Sequence, residues 1–379
     1  MDIAEFALER YFATWEFAVR YNLCASDAAT LSLDELLSLA DADGRRRWNE
    51  LRLGYTESVG LPALRAAIAE LYDGVTADDV ITFAGAEEGV FLSMHALLRA
   101  GDHAIVVWPA YQSLHEVARA IGADVTLVPL DPTEWSLDVE RIEREMRPNT
   151  RVVVVNFPHS PTGAQLDPPA FERLVSLVDS HRSARLFADE VYRFLELDSA
   201  ARLPAAASVS TRAVSLGVMS KAFGLAGLRI GWVVTRDRAL RERLVVLKDY
   251  TTICNSAPSE LLALIALRAR DTVLARTRGI MLANLELLDR FFERNTHWCA
   301  WVRPRAGSVA FPRLVRADVD RFAAELIEQE GVLILPGSQF GYPGNHFRLG
   351  FGRADMPEAL ARFERFGSAF PLPWNGEPY

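Results

Sequence analysis

The chain has 379 residues and a mass of 42.2 kDa, and half of its residues are hydrophobic, so two lobes or one large α/β domain can form and a disordered chain is excluded. Acidic residues outnumber basic ones, the formal charge is −9, and no basic tail or stripe occurs beyond Arg45 to Arg47. This charge balance argues against a nucleic-acid partner and favours a small-molecule substrate.

The first 45 residues predict an arm and a supporting element rather than part of a large sheet. Apolar residues recur at helical spacing from Phe6 to Trp15, the irregular segment YNLCASDAATLSL follows, and LDELLSLA indicates a second helix. The pattern changes at Tyr55, where GYTESVGLPALRAAIAELY begins with a turn at Gly60 and continues as an amphipathic helix.

Strands and helices then alternate along the chain. The predicted strands are DVITFAG, HAIVVW, DVTLVPL, RVVVVNF, RLFADE and AVSLGVM, and the helices between them are AEEGVFLSMHALL, YQSLHEVARAIG, Val139 to Met146 and PAFERLVSLVDSH. Their continuous runs of Val, Ile and Leu indicate strands covered on both faces, as in a mostly parallel sheet between helices. From about residue 258, a helix-rich segment and the short strands VAFPRL, GVLILPG and HFRLGFG indicate a second α+β lobe, to which the arm returns.

The three cysteines, Cys24, Cys254 and Cys299, are far apart and lack metal-binding spacing, so we expect reduced thiols and no metal site. The N-terminus MDIAEFALERYF carries acidic residues where a signal peptide has a basic start. No apolar stretch approaches the ~18 residues of a membrane span. We therefore expect a cytoplasmic protein without a membrane partner.

Lysine is nearly excluded from this chain, since 39 of its 41 basic residues are arginine and only Lys221 and Lys248 remain. Arginine stays protonated, whereas a lysine in a desolvated pocket can lose its proton and attack a carbonyl group. Lys221 follows the strand AVSLGVM and precedes a glycine-rich turn, so it is predicted to be a reactive amine. Lys248 lies in the helical pattern RLVVLKDY and is predicted to be a solvated surface residue.

Ligands of parallel α/β sheets bind beyond the carboxyl ends of the strands. The residues that follow the predicted strands should therefore converge on one crevice; they are Gly85, Ala86 and Glu87, then Trp108 to Tyr111, Asn156 to Gly163, Asp189, Glu190 and Tyr192, and Ser220 and Lys221. An amine, an acid, an aromatic face and a helix N-terminus together suit an aldehyde cofactor that has a pyridine ring and a phosphate.

Six motifs in this order resemble the class I/II aminotransferases of the fold-type I pyridoxal-5′-phosphate enzymes: GYTESVGLPALR, FAGAEEGVF, NFPHSPTG, FADEVY, SKAFGLAGLRIGW and HFRLGFG. The resemblance covers nearly the whole chain. It implies an α/β fold with a large cofactor-binding domain, residues 46–261, and a small domain, residues 1–45 and 262–379. It also implies pyridoxal 5′-phosphate as cofactor, transfer of an amino group between an amino acid and a 2-oxo acid, and a homodimer.

The resemblance assigns roles around the cofactor ring. Lys221 resembles the Schiff-base lysine, which holds the cofactor aldehyde and moves the substrate proton once it is displaced. Asp189 resembles the partner of the pyridine nitrogen, whose carboxylate keeps the ring protonated. Tyr192 resembles the residue bonded to the ring hydroxyl. Tyr111 resembles the aromatic residue that stacks on the ring, with an ordinary core tyrosine as the alternative interpretation.

The same resemblance assigns ligands of the phosphate and of the substrate. Backbone N–H groups at the start of a helix favour an anion, and here they belong to Gly85, Ala86 and Glu87. Ser220 and Arg229 resemble the side-chain phosphate ligands, and Tyr55 resembles the residue that reaches a phosphate across a dimer interface. Arg348, in HFRLGFG, resembles the arginine that binds the substrate α-carboxylate with a bidentate fork.

One motif departs from the family pattern, which is usually Asn-Pro-Thr-Gly, with the asparagine touching the ring hydroxyl. This chain has Ser160 at the first position, and serine is shorter and presents a single hydroxyl. The contact is then lost, mediated by water, or taken over by Asn156 or His159. His159 is otherwise interpreted as a structural neighbour.

Other functions share parts of this pattern. GYTES, GAEEGVF and YQSLHE are similar to a capreomycidine-synthase-like branch, which implies elimination and cyclisation of a β-hydroxylated amino acid. A non-catalytic, cofactor-sensing regulator on the same fold is a further alternative, although no DNA-binding segment precedes the arm. A nicotinamide-dependent oxidoreductase would share the sheet, but no predicted strand is followed by GxGxxG.

Overall fold

The computed structural model describes residues 2–315 and 317–371. The helices are α1 (Ala7–Trp15), α2 (Leu33–Ser38), α3 (Ala42–Asn49), α4 (Pro62–Ala69), α5 (Ala86–Leu97), α6 (Ser113–Ile121), α7 (Val139–Glu145), α8 (Pro168–Ser180), α9 (Ala206–Val209), α10 (Arg238–Lys248), α11 (Ala257–Arg268), α12 (Arg270–Arg294), α13 (Val319–Glu330) and α14 (Met356–Ala369). The strands are β1 (Tyr21–Asn22), β2 (Val80–Phe83), β3 (His103–Trp108), β4 (Asp124–Pro129), β5 (Thr150–Asn156), β6 (Arg185–Asp189), β7 (Ala213–Val218), β8 (Gly231–Thr235), β9 (Cys299–Ala300), β10 (Val309–Ala310), β11 (Arg313–Leu314), β12 (Val332–Leu333), β13 (Leu335–Pro336) and β14 (Phe347–Gly350).

A seven-stranded sheet forms the centre of the chain, in the order β2-β8-β7-β6-β5-β3-β4. Strands β4, β3, β5, β6 and β7 pair in parallel, and β8 is antiparallel to both of its neighbours. Every residue of β2, β7 and β8 is buried, because helices cover both faces of the sheet. The predicted mostly parallel α/β sheet is confirmed, and each predicted strand lies within two residues of an observed one.

The elements that were not predicted include β8, α3 and β1, as well as the short helix α9 and the two-residue strand β9. Strand β8 lies just after the glycine-rich turn that follows Lys221 and itself begins with a glycine, so its start resembles a continuation of that turn. Helix α3 is polar on most of its surface, so it lacks the apolar spacing on which the prediction relies. Strand β1 has only two residues, and it pairs in parallel with β12.

The second lobe consists of the C-terminal helices and three small sheets. Strands β10, β14 and β13 form an antiparallel sheet, β9 pairs with β11, and β1 joins β12, so the arm returns to this lobe as expected. The predicted domain boundaries near residues 45 and 261 stay predictions. No helix in the described part of the chain combines the length and apolarity needed to cross a bilayer.

Lys248, at the end of α10, is buried with 0% of its surface exposed, so the prediction of a solvated surface lysine is wrong. Its Nζ donates to Thr252 Oγ1 (3.0 Å) and to Asn255 Oδ1 (3.4 Å). Burial lowers the pKa of Lys248, and the carboxylates of Glu88 and Glu260 oppose that shift. Helical spacing alone does not reveal that the segment after α10 folds back over its last turn.

Candidate active site

A cavity of about 350 Å³ opens beyond the carboxyl ends of the parallel strands. Its walls come from the central sheet, from α1 and the segment after β1, and from β14 of the second lobe. Lys221, three residues after β7, lies in this cavity and is partly buried. Its Nζ donates to Ser26 Oγ at 2.7 Å and lies 5.5 Å from the centre of the Tyr192 ring. The amine that the sequence analysis singled out therefore faces the cavity.

Asp189 lies in the same cavity at the end of β6, and only 7% of it is exposed. Burial raises its pKa to about 7, while the N–H of Val191, which donates to Oδ1 at 3.2 Å, and the charge of Lys221 oppose that shift. A buried carboxyl group of this kind is stabilised in its charged form by a cation in the cavity. The protonated nitrogen of a pyridine ring meets that requirement, so Asp189 fits the role expected for it.

The N-terminus of α5 forms another wall of the cavity, where an anion would be stabilised. The first N–H groups of a helix have no partner within it and carry the positive end of its dipole. Ala86, Ser220 and Arg229 line this wall. Gly85 has a φ of +89°, and a Cβ there would lie 2.6 Å from Arg229 Nη2, so the guanidinium packs directly on its backbone. Glu87 also lines the cavity, and Ser113 Oγ donates to its Oε2 at 3.1 Å.

Two tyrosines form the walls beside the lysine and the acid. Tyr111 donates its hydroxyl proton to Glu9 Oε1 at 2.5 Å, and its ring lies 5.0 Å from that of Phe6. Burial, reinforced by nearby carboxylates, raises the pKa of Tyr111 well above its usual range, so the hydroxyl stays protonated. Tyr192 is 2% exposed. Both rings border the cavity, which agrees with the stacking and ring-hydroxyl roles expected of them.

Ser160 and Asn156 both line the cavity. The side-chain amide of Asn156 is hydrogen-bonded to two other residues of the cavity wall. Its Nδ2 donates to the backbone oxygen of Asp189 at 2.9 Å, and its Oδ1 accepts from the N–H of Ser160 at 2.7 Å. His159 is 1% exposed and its Nδ1 lies 2.8 Å from Thr162 Oγ1. Burial lowers the pKa of His159 to about 3, so the ring is neutral and suits packing rather than proton donation.

Arg348 reaches the cavity from β14 and is 3% exposed. Its Nε donates to the backbone oxygen of Cys24 at 3.0 Å, and the guanidinium lies 5.6 Å from the Phe12 ring and 5.8 Å from the Phe340 ring. These contacts orient the group, and within residues 2–315 and 317–371 its terminal nitrogens have no hydrogen-bond partner, so they can bind a ligand. A carboxylate in the cavity would complete the bidentate pair that arginine favours.

The arm contributes residues that the sequence analysis did not identify, namely Glu9, Glu16, Ser26 and Asp27. They belong to no recognised motif, and the expected return of the arm to the second lobe was the only signal that pointed to them. Tyr55, in contrast, is 92% exposed and lies outside this cavity, beside a separate surface depression. Among the described residues, no group of three or more His, Cys, Asp or Glu side chains is arranged to hold a metal ion.

Comparisons with known proteins agree with this geometry. The sequence profile described as aminotransferase class I and II matches residues 20–363. Capreomycidine synthase from Streptomyces vinaceus is 31% identical over 93% of this chain and 91% of its own, and valine–pyruvate aminotransferase from Mycobacterium tuberculosis is 29% identical over 84% of each.

Solved structures extend the likeness to three dimensions. A PLP-dependent aminotransferase from Streptococcus suis superposes with a TM-score of 0.92 at 28% identity, covering 98% of this chain and 100% of the other. The PLP-dependent cyclase OrfR superposes with a TM-score of 0.86 at 29% identity, covering 96% of this chain and 98% of the other. Both a transferase and a cyclase therefore share the whole fold with this chain.

Proposed function

Because the chain belongs to the class I and II aminotransferases, we propose that it is a pyridoxal-5′-phosphate enzyme that moves an amino group between an amino acid and a 2-oxo acid. The observation that carries this proposal is that Lys221, Asp189 and Arg348, which are far apart in the sequence, line one cavity. A nucleophilic amine, a buried acid and a carboxylate-binding arginine are the groups that this reaction requires.

The residues that line the cavity have separate roles in this reaction. The cofactor, when bound, supplies an aldehyde that captures amines and a protonated ring that withdraws electrons from the substrate Cα. Lys221 binds the aldehyde and, once a substrate amine has displaced it, its Nζ takes the proton from Cα and returns it. The carboxylate of Asp189 holds the proton on the ring nitrogen. Ser220, Arg229 and the N–H groups at the start of α5 bind the phosphate.

The cavity also favours a cationic substrate side chain. Among the described residues, five carboxylates but only three cationic groups line it, and three of those carboxylates come from the arm. Asp27 is paired with Arg353 through two bonds of 2.9 and 3.0 Å, and Glu9 accepts from Tyr111. Glu16 forms no salt bridge or side-chain hydrogen bond within the described part of the chain. Partial burial raises the pKa of Glu16, and the charges of Arg353 and Arg348 only partly oppose that shift, so a further cation beside it would be stabilising.

A second candidate function is elimination and cyclisation of a β-hydroxylated amino acid. It is favoured by the similarity to capreomycidine synthase over nearly the full length of both chains, and by Ser160 at the position where the family usually has asparagine. Both reactions begin when Lys221 removes the Cα proton. They differ afterwards, since the amino group leaves the substrate in transfer and stays in the product in cyclisation.

A single-turnover experiment separates the two functions. The holoenzyme is mixed, without any 2-oxo acid, with amino acids labelled with nitrogen-15 at the α-amino group, and the products are identified by mass spectrometry. We expect one equivalent of unlabelled 2-oxo acid per site and retention of the label by the protein. A product that keeps the label while the β-hydroxyl is lost would contradict transfer and support cyclisation.

The same experiment tests the substrate class with the matched pair arginine and its neutral analogue citrulline. A hydrogen bond to a charged group contributes ~1.5 to 3 kcal/mol, so arginine should be half-saturating at roughly 10- to 100-fold lower concentration. In the Glu16→Gln variant the difference between the half-saturating concentrations of arginine and citrulline should become smaller. Equal use of both compounds by the unaltered enzyme would rule out the charge preference and leave amino-group transfer intact.

We also propose a homodimer. Three large side chains are strongly exposed: Leu53 (85%), Tyr55 (92%) and Tyr250 (86%). Ser58 Oγ donates to Asp249 Oδ1 at 3.1 Å. This bond joins the segment of Leu53 and Tyr55 to that of Tyr250, so the three side chains lie on one face. Large apolar side chains clustered on a surface favour association, and a second copy would bring Tyr55 to the partner's phosphate site. Light scattering should give about twice the 42.2 kDa chain mass. An active protein that scatters as a monomer, with Leu53→Arg making no difference, would contradict this assembly.

A further inference from the structure

We propose that Ser26 is a positioning residue whose hydroxyl holds the Lys221 amine at the place from which it moves the substrate proton. This inference rests on the proposed function. Lys221 Nζ donates to Ser26 Oγ at 2.7 Å, although the two residues are 195 positions apart in the chain. Both residues line the cavity.

The backbone around Ser26 is fixed against the second lobe on both sides. Before it, the oxygen of Leu23 accepts from the N–H of Gly350 at 2.8 Å, and after it the N–H of Ala29 donates to the oxygen of Gly352 at 2.9 Å. A Cβ on Gly350 would lie only 1.9 Å from the oxygen of Ala25, so the two backbones cross in direct contact. Such a crossing leaves the segment little freedom to shift.

Side chains fix the same segment at Ser26 itself and at its neighbour. Ser308 Oγ donates to the backbone oxygen of Ser26 at 2.9 Å. The carboxylate of Asp27 forms two hydrogen bonds with Arg353, at 2.9 and 3.0 Å. These contacts restrain the backbone of Ser26 from both sides, so its hydroxyl is a fixed acceptor rather than a mobile surface group.

A fixed acceptor matters because the lysine side chain is a flexible four-carbon stem. A neutral amine that donates one N–H to Ser26 keeps its lone pair, which is the part that accepts the substrate proton. The centre of the Tyr192 ring lies 5.5 Å from Nζ, so this ring restricts the movement of the amine on another side. Serine stays neutral and does not replace the amine as the base, so Ser26 acts on the position of Nζ and not on the identity of the proton carrier.

The test compares Ser26→Ala with Ser26→Thr, which keeps the hydroxyl, and with Ser308→Ala, which loosens the segment but leaves the hydroxyl of Ser26 in place. Single-turnover rates are measured in the holoenzymes with substrates carrying hydrogen or deuterium at Cα. In Ser26→Ala the rate should fall roughly 10- to 100-fold, because displacing a catalytic group by about 1 Å lowers a rate by up to that factor. The deuterium isotope effect should rise, KM should change little, and Ser26→Thr should recover most of the rate.

A second measurement does not depend on turnover. In protein stripped of cofactor, an amine-reactive reagent labels Lys221, and the rate is read by peptide mass spectrometry. Ser26→Ala should change that rate several-fold, whereas Ser308→Ala should change it less, because the other contacts of the segment and the hydroxyl of Ser26 remain. Binding of inorganic phosphate should be the same in all three variants, because none of these residues lines the phosphate wall.

Three outcomes would overturn the inference: an unchanged rate and isotope effect in Ser26→Ala, an equal loss in Ser308→Ala, or a loss in Ser26→Ala that Ser26→Thr leaves uncorrected while labelling of Lys221 is unchanged. If Ser26→Ala is recovered unfolded, Ser26→Cys provides the same comparison, since a thiol is a weaker acceptor. Failure of the unaltered holoenzyme to remove the Cα proton from any amino acid would instead refute the proposed function.

Discussion

Replacing Lys221 with alanine is expected to abolish turnover, with kcat lowered by ~10⁴-fold or more. General acid–base catalysis alone contributes up to ~10⁴-fold, and this substitution removes both the proton carrier and the amine that binds the cofactor aldehyde. The other lysine of the chain, Lys248, is fully buried and does not line the cavity, so no second lysine can take the place of Lys221. Steady-state kinetics of the purified variant measures this loss.

Borohydride reduction of the unaltered holoenzyme provides the matching chemical test. It should attach the cofactor covalently to Lys221, and peptide mapping should find the label there. Lys248 serves as an internal control, since it is the other lysine of the chain and is fully buried among Thr252, Asn255 and Glu260. Label on Lys248, or no label at all, would refute the assignment of Lys221.

The second large effect is expected for Arg348→Ala, which should weaken substrate binding by ~2 to 4 kcal/mol, or roughly 30- to 1,000-fold. The substrate carboxylate would remain in a largely buried pocket without its cationic partner, and such an unpaired charge is costly. Cofactor binding should be nearly unchanged, because the phosphate wall at α5 lies apart from β14. Substrate titrations and cofactor titrations of the same variant separate the two effects.

Arg303→Ala is a suitable control for Arg348→Ala. Arg303 is about half exposed and pairs with Asp289 on the surface, at 2.7 Å, so its loss should leave both titrations unaffected. A Michaelis constant that does not change in Arg348→Ala would remove Arg348 from the substrate site. A parallel loss of cofactor affinity would indicate a general disturbance of the cavity instead.

Much of the fold and of the site could be predicted from local patterns in the sequence. Continuous apolar runs located the parallel strands, because a strand covered on both faces needs apolar residues at consecutive positions. The residues at the carboxyl ends of parallel strands meet at one edge of the sheet, so the strand pattern alone predicts that Lys221 and Asp189 lie together. The rarity of lysine singled out Lys221, and the motif around Arg348 identified it among 39 arginines.

Other features were decided only by tertiary structure. The polarity of Lys248 predicts exposure, yet the following segment buries it and supplies its hydrogen-bond partners. Glu9, Glu16 and Ser26 lie on an arm whose local pattern describes only a helix and an irregular stretch, and they reach the cavity because β1 pairs with β12 more than 300 residues later. Sequence patterns record which backbone conformation a segment prefers and which of its faces is apolar. They do not record which other segment will cover a polar side chain, because that depends on contacts that form only when the chain folds.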